Sequence, residues 1–172
     1  TKFPEIFGFC GDVLFPSIIL GQIIPQIDNG ILLDSSDNAE IKSNKIFSYI
    51  RTSLDSYPKP FIGDNFTILH GTRFEKSFKL FKIYIGADRQ LRKEEIPLGN
   101  ISTKVFSGGS GSTEFDKNWL QWESEKHNDY RTSRAVYHCL YQTLKNIKDP
   151  RTGGLPQIVG LYRNRNARLF GI

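Results

Sequence analysis

Between its first third and its middle this chain changes the period of its apolar residues, and that change narrows the folds open to it. Across residues 14–27, Phe15, Ile18, Ile19, Ile23 and Ile24 fall mostly on one helical face, and Ile46, Phe47, Ile50 and Leu54 repeat the helical spacing. Residues 66–73 and 78–85 are instead dense in β-branched and aromatic side chains, as antiparallel strands are. The helical period then returns, first with Phe115, Trp119 and Trp122, then with Ala135, Val136, Cys139, Leu140, Leu144 and Ile147. A short buried strand is expected from Ile6 into a glycine turn, a polar loop over residues 34–44, and a third middle strand at residues 102–106. Pro58 and Pro60 end the second helix. A terminal hairpin is expected from residues 157–162 and 167–172, turning at Asn164-Arg165-Asn166. Strand, two helices, several strands, two helices and two strands is the order of an α+β fold, not of an alternating parallel sheet.

A chain of 172 residues fits one domain with a sizeable core. No apolar run is long enough to span a bilayer and no signal peptide is evident, so no membrane association and a cytoplasmic setting are expected. Cys10 and Cys139 stand far apart in apolar segments, as buried thiols of a reducing compartment would. His70, His127 and His138 are dispersed and no CxxC occurs, so neither a metal nor a cofactor is expected. The net charge of +5 is modest and its lysines and arginines are scattered. Thirteen phenylalanines accompany no methionine, not even a starting one. The expectation is that an upstream segment has been processed away or left out.

Three glycine-marked segments carry the chemistry. Asp149-Pro150-Arg151-Thr152-Gly153-Gly154 follows the last helix; its glycines admit close backbone approach, and its acid and hydroxyl can orient a nucleophile or proton carrier. The same residues also read as a helix stop. Gly8-Phe9-Cys10-Gly11-Asp12 precedes the first helix, where Asp12 reads as an N-cap beside free N–H groups. Ser107-Gly108-Gly109-Ser110-Gly111-Ser112 precedes the later helix pair and reads as an ordered turn or an anion-binding nest. Trp119 and Trp122 read as packing residues, and His138 as a side chain satisfied within the structure.

Taken in order, these segments resemble the proteasome-type branch of the N-terminal nucleophile hydrolases, including the bacterial HslV-like peptidases. The resemblance covers essentially the whole chain and implies a four-layer α-β-β-α sandwich with antiparallel sheets. It implies a nucleophile at a free N-terminal residue, usually threonine, whose own amine helps accept the hydroxyl proton. Lys2 matches the lysine that favours the ionised nucleophile, and Gly11 the residue whose backbone N–H binds the oxyanion. Ser110 matches a supporting serine; Asp149 and Thr152 match an Asp and Ser pair, with threonine retaining the hydroxyl. Family members place a β-hairpin bearing the nucleophile and a further aspartate ahead of the lysine. That hairpin is expected upstream of Thr1, the alternative being Thr1 as a processed nucleophile. The implied activity is threonine-type (or Ser/Cys-type) amide hydrolysis of peptide or amide substrates by a homo-oligomer, possibly a ring, with any ATPase partner unspecified. A non-catalytic assembly or regulatory subunit of the same fold stays open. So does a basic nucleic-acid binder using Arg163, Arg165 and Arg168 beside Tyr162 and Phe170, although no RNA-binding motif accompanies them.

Overall fold

The structure, a computed structural model, describes residues 3–58, 65–86, 88–125, 131–152 and 156–170. It is a mixed α+β structure whose elements run β1 (Glu5–Gly11), α1 (Leu14–Asp28), α2 (Ala39–Ser56), β2 (Phe66–Phe74), β3 (Ser77–Ile85), β4 (Leu91–Ile96), α3 (Ser112–Ser124), α4 (Ser133–Asn146), β5 (Ile158–Gly160) and β6 (Arg168–Phe170). The chain divides into two compact units, one over Thr1–Ile96 and Val159–Phe170, the other over Pro97–Ile158 and Gly171–Ile172.

In the first unit β1, β2, β3 and β4 form one antiparallel sheet in that order. The register sets Phe7 opposite His70 and Ile68 opposite Ile83, so alternate residues share a face. Phe66, Ile68, Ile83, Ile85 and Leu91 of that face bury against Phe15, Ile19, Ile23 and Ile27 of α1 and Ile46 and Ile50 of α2. Fully burying one such side chain is worth roughly 1.5–3 kcal/mol, so this face dominates the unit's stability. Glu75 takes the left-handed conformation in the two-residue β2–β3 turn, with φ of 52°. In the second unit α3 and α4 pack through Phe115, Trp119, Ala135 and Cys139, with Trp122, Val136 and Leu140 around them. The β5–β6 pair forms a separate two-stranded sheet, in which Tyr162 and Phe170 meet edge to face with ring centroids 6.4 Å apart.

Three expectations are corrected. Residues 102–106 form no strand; the third neighbour in the sheet is β4, whose LRKEEI sequence hides its pairing behind charges. Those charges pair across the sheet, Lys82 with Glu94 at 3.0 Å and Lys79 with Glu95 at 2.8 Å. The expected loop over residues 34–44 gives way to helix at Ala39, because the Asn38 side chain accepts the Ile41 N–H at 2.9 Å and starts α2 early. Cys10 is half-buried rather than interior, whereas Cys139 is buried. No helix among the described residues is long and apolar enough to cross a membrane.

Candidate functional site

The Gly-rich segment before α3 is held by a short polar network. Lys104 donates to Asp116 at 2.6 Å and the Ser107 hydroxyl donates to the same oxygen at 2.5 Å, tying the start of the turn to the helix it precedes. Those two bonds, the Lys104 one first, hold the Asp116 carboxyl below the usual aspartate range. Gly109 sits at φ of 92°, a region open to glycine, and its carbonyl accepts the Ser112 N–H at 3.2 Å. The segment is therefore an ordered turn that delivers Ser110 at the entrance of α3.

After α4 a second turn brings its own polar groups to the same place. Thr152 N–H donates to the Asp149 carbonyl at 3.1 Å, and Arg151 N–H donates to the Asp149 carboxylate at 2.9 Å. The Ser110 and Thr152 hydroxyls lie 2.5 Å apart. The Asp149 carboxyl is held below its ordinary value, chiefly by the Arg151 backbone N–H, then by the Arg151 side chain, with Ser110 assisting and burial opposing. The bare backbone of Gly111 lets the two turns approach without displacing side chains. A Cβ there would meet Thr152 Cγ2 at 2.7 Å and Ile147 Cδ1 at 2.9 Å.

Ser110, Asp149 and Thr152 thus converge within the second unit, although 39 residues separate the first two in sequence (149 minus 110). Two hydroxyls in contact beside an ionised carboxylate make a solvent-open site that attracts an amine or ammonium and can relay a proton. No protein-family model matches the chain, and no curated protein matches it either.

Gly11 belongs to the first unit, at the end of β1, with φ of 90°. A Cβ there would lie 2.4 Å from the Asn65 carbonyl oxygen, so only glycine permits this β1–β2 approach. Asp12 accepts the Leu14 N–H at 3.0 Å and so satisfies one of the first N–H groups of α1. Thr1, Lys2, Gly153 and Gly154 lie outside the described residues. Trp119 is buried in the helix pair and Trp122 packs beside it. His138 is exposed, and its ring lies 6.0 Å from that of Tyr137. Among the described residues no three His, Cys, Asp or Glu side chains group as metal ligands would.

A second polar cluster escaped the sequence reading. Glu5 is buried on the helix-facing side of β1; its Oε1 accepts from Lys42 Nζ at 2.8 Å and from Thr72 Oγ1 at 3.0 Å. Its Oε2 lies 2.7 Å from His70 Nε2, and His70 stacks between Phe7 and Phe81 with centroids 5.0 and 6.0 Å away. A carboxylate only accepts, so His70 donates through Nε2, while its Nδ1 is buried without a partner. The available signal was three polar residues on positions whose neighbours face the core. Nothing local joins them.

Proposed function

We propose that the chain is a proteasome-type N-terminal nucleophile hydrolase that cleaves peptide or other amide bonds within a four-layer sandwich. The observation that carries this reading is the Ser110–Thr152 hydroxyl pair beside Asp149 at the entrance of α3. Supporting it is the element order, in which a helix pair covers one face of an antiparallel sheet and a second helix pair follows the sheet.

In this mechanism an N-terminal hydroxyl or thiol attacks the amide carbon while its own α-amine takes the proton. Lys2 favours the ionised nucleophile through its charge. Collapse of the tetrahedral intermediate expels the protonated amine product, and water then cleaves the acyl-enzyme ester. Within the second unit, Ser110, Asp149 and Thr152 supply the hydroxyls and the carboxylate that hold an amine and a water.

The test combines turnover of a fluorogenic peptide amide by the native protein with N-terminal sequencing and intact mass after treatment with a hydroxyl- and thiol-directed electrophile. Expected are one label at an N-terminal Thr, Ser or Cys, and a roughly hundredfold lower kcat in Asp149→Asn with its fold intact. Equal turnover by Asp149→Asn overturns the assigned roles. Absence of both turnover and label leaves the chain as a non-catalytic assembly subunit.

A further inference from the structure

Beside the buried Glu5 cluster, and wholly within the first unit, a cleft of about 710 Å³ opens to solvent. That volume lies within the range of small-molecule sites, roughly 300–1,000 Å³. Its apolar lining is Phe3, Pro4 and Phe74. Its polar lining includes Arg73 from the end of β2, Glu75 from the β2–β3 turn, Lys42 from α2 and Asn166 from the β5–β6 connection.

The two cations differ in what they leave available. Lys42 is committed, since its ammonium donates to Glu5 at 2.8 Å and to the Arg73 carbonyl at 3.1 Å. Arg73 is not. Its Nη1 donates to the Glu75 carbonyl at 2.8 Å, which fixes the plane of the guanidinium, while its Nε is buried and has no hydrogen-bond partner. A buried donor left without an acceptor is costly, and a guanidinium fork fits a carboxylate or phosphate best. The hydroxyls of Ser35 and Ser36 turn to Asp34 and do not supply the acceptor.

We propose that this cleft binds a small ligand carrying a carboxylate or phosphate on an apolar ring. The ring lies against Phe3 and Phe74, and the anionic oxygens take the Arg73 guanidinium and the Asn166 amide. The site is independent of the hydrolase reading, because none of its residues has a role there.

The experiment is isothermal titration of the full chain with benzoate, phenyl phosphate and, as the uncharged control, benzamide. Saturable binding of benzoate or phenyl phosphate is expected, with benzamide roughly tenfold weaker or silent. Which of the two anions binds separates a carboxylate from a phosphate ligand. Asn166→Asp, an exposed change that sets a repelling carboxylate at the rim, is expected to weaken binding roughly tenfold. Arg73→Gln is expected to do the same where circular dichroism shows it folded. No saturation by either anion up to about 20 mM, beyond the millimolar range of fragment-sized ligands, overturns the proposal. Equal binding of benzamide overturns it too, as does unchanged affinity in Asn166→Asp or in folded Arg73→Gln.

Discussion

At the scale of single residues, Glu5 has the largest consequence for stability. Its carboxylate answers an ammonium, an imidazole N–H and a hydroxyl, all with almost no solvent access. Glu5→Gln keeps the shape but leaves the Lys42 charge buried and unpaired, so the expected loss is roughly 3–5 kcal/mol in urea unfolding. A loss under about 1 kcal/mol, the scale of an exposed pair, would show that water reaches the cluster. Asp149 gives stability a dependence on pH. Its folded carboxyl titrates below the ordinary aspartate value, so its stabilising contribution is complete above about pH 4 and fades as pH falls through the lowered value. The stability gap between the parent and Asp149→Asn should therefore be full at pH 6 and shrink in strong acid. A gap unchanged at pH 2 would mean that the carboxylate charge is not what holds the turn. Ser110, Asp149 and Thr152 could be picked from the sequence because each sits in a short glycine-marked turn. Glu5, Lys42 and His70 could not, since the bonds joining them span 37 and 65 positions.

Among the elements, what was readable depended on whether apolar periodicity survived the charges. Helix α4 keeps an apolar stripe, and α1 begins and ends close to the expected residues 14–27. But α1 is apolar on most sides, so Ile18 of its expected face is exposed while Phe15, Ile19, Ile23 and Ile27 are buried. Strand β4 was invisible because Arg92, Lys93, Glu94 and Glu95 interrupt any alternation, and only the partner strand reveals that opposite charges face one another. The start of α2 was hidden in a different way, behind a polar first turn whose Lys42 and Ser43 point inward. Asn38 is the residue that decides this start. Asn38→Ala should cost about 1 kcal/mol, read as a lower urea midpoint at constant slope. An unchanged midpoint would mean that packing of Ile46 and Ile50 alone sets where the helix begins.

For the molecule taken whole, charge is the property that solution experiments read most directly. A net +5 at neutral pH and an isoelectric point near 9.2 mean that self-repulsion disappears in mild alkali. Light scattering at matched concentration should rise toward pH 9.2 and fall again on return to pH 7. Scattering that instead peaks at neutral pH would point to attraction between apolar surfaces. The placement of the indoles gives one more handle. The chain has two tryptophans, and both ride on α3, one buried and one partly so. Trp119 lies seven residues beyond the Ser112 start of that helix, about 10 Å along its axis from the turn that holds Ser110. Tryptophan emission, excited at wavelengths that pass over the seven tyrosines, is thus a built-in, label-free optical gauge confined to one helix, able to follow events at its entrance while the sheet, which carries Tyr84 but no tryptophan, stays dark.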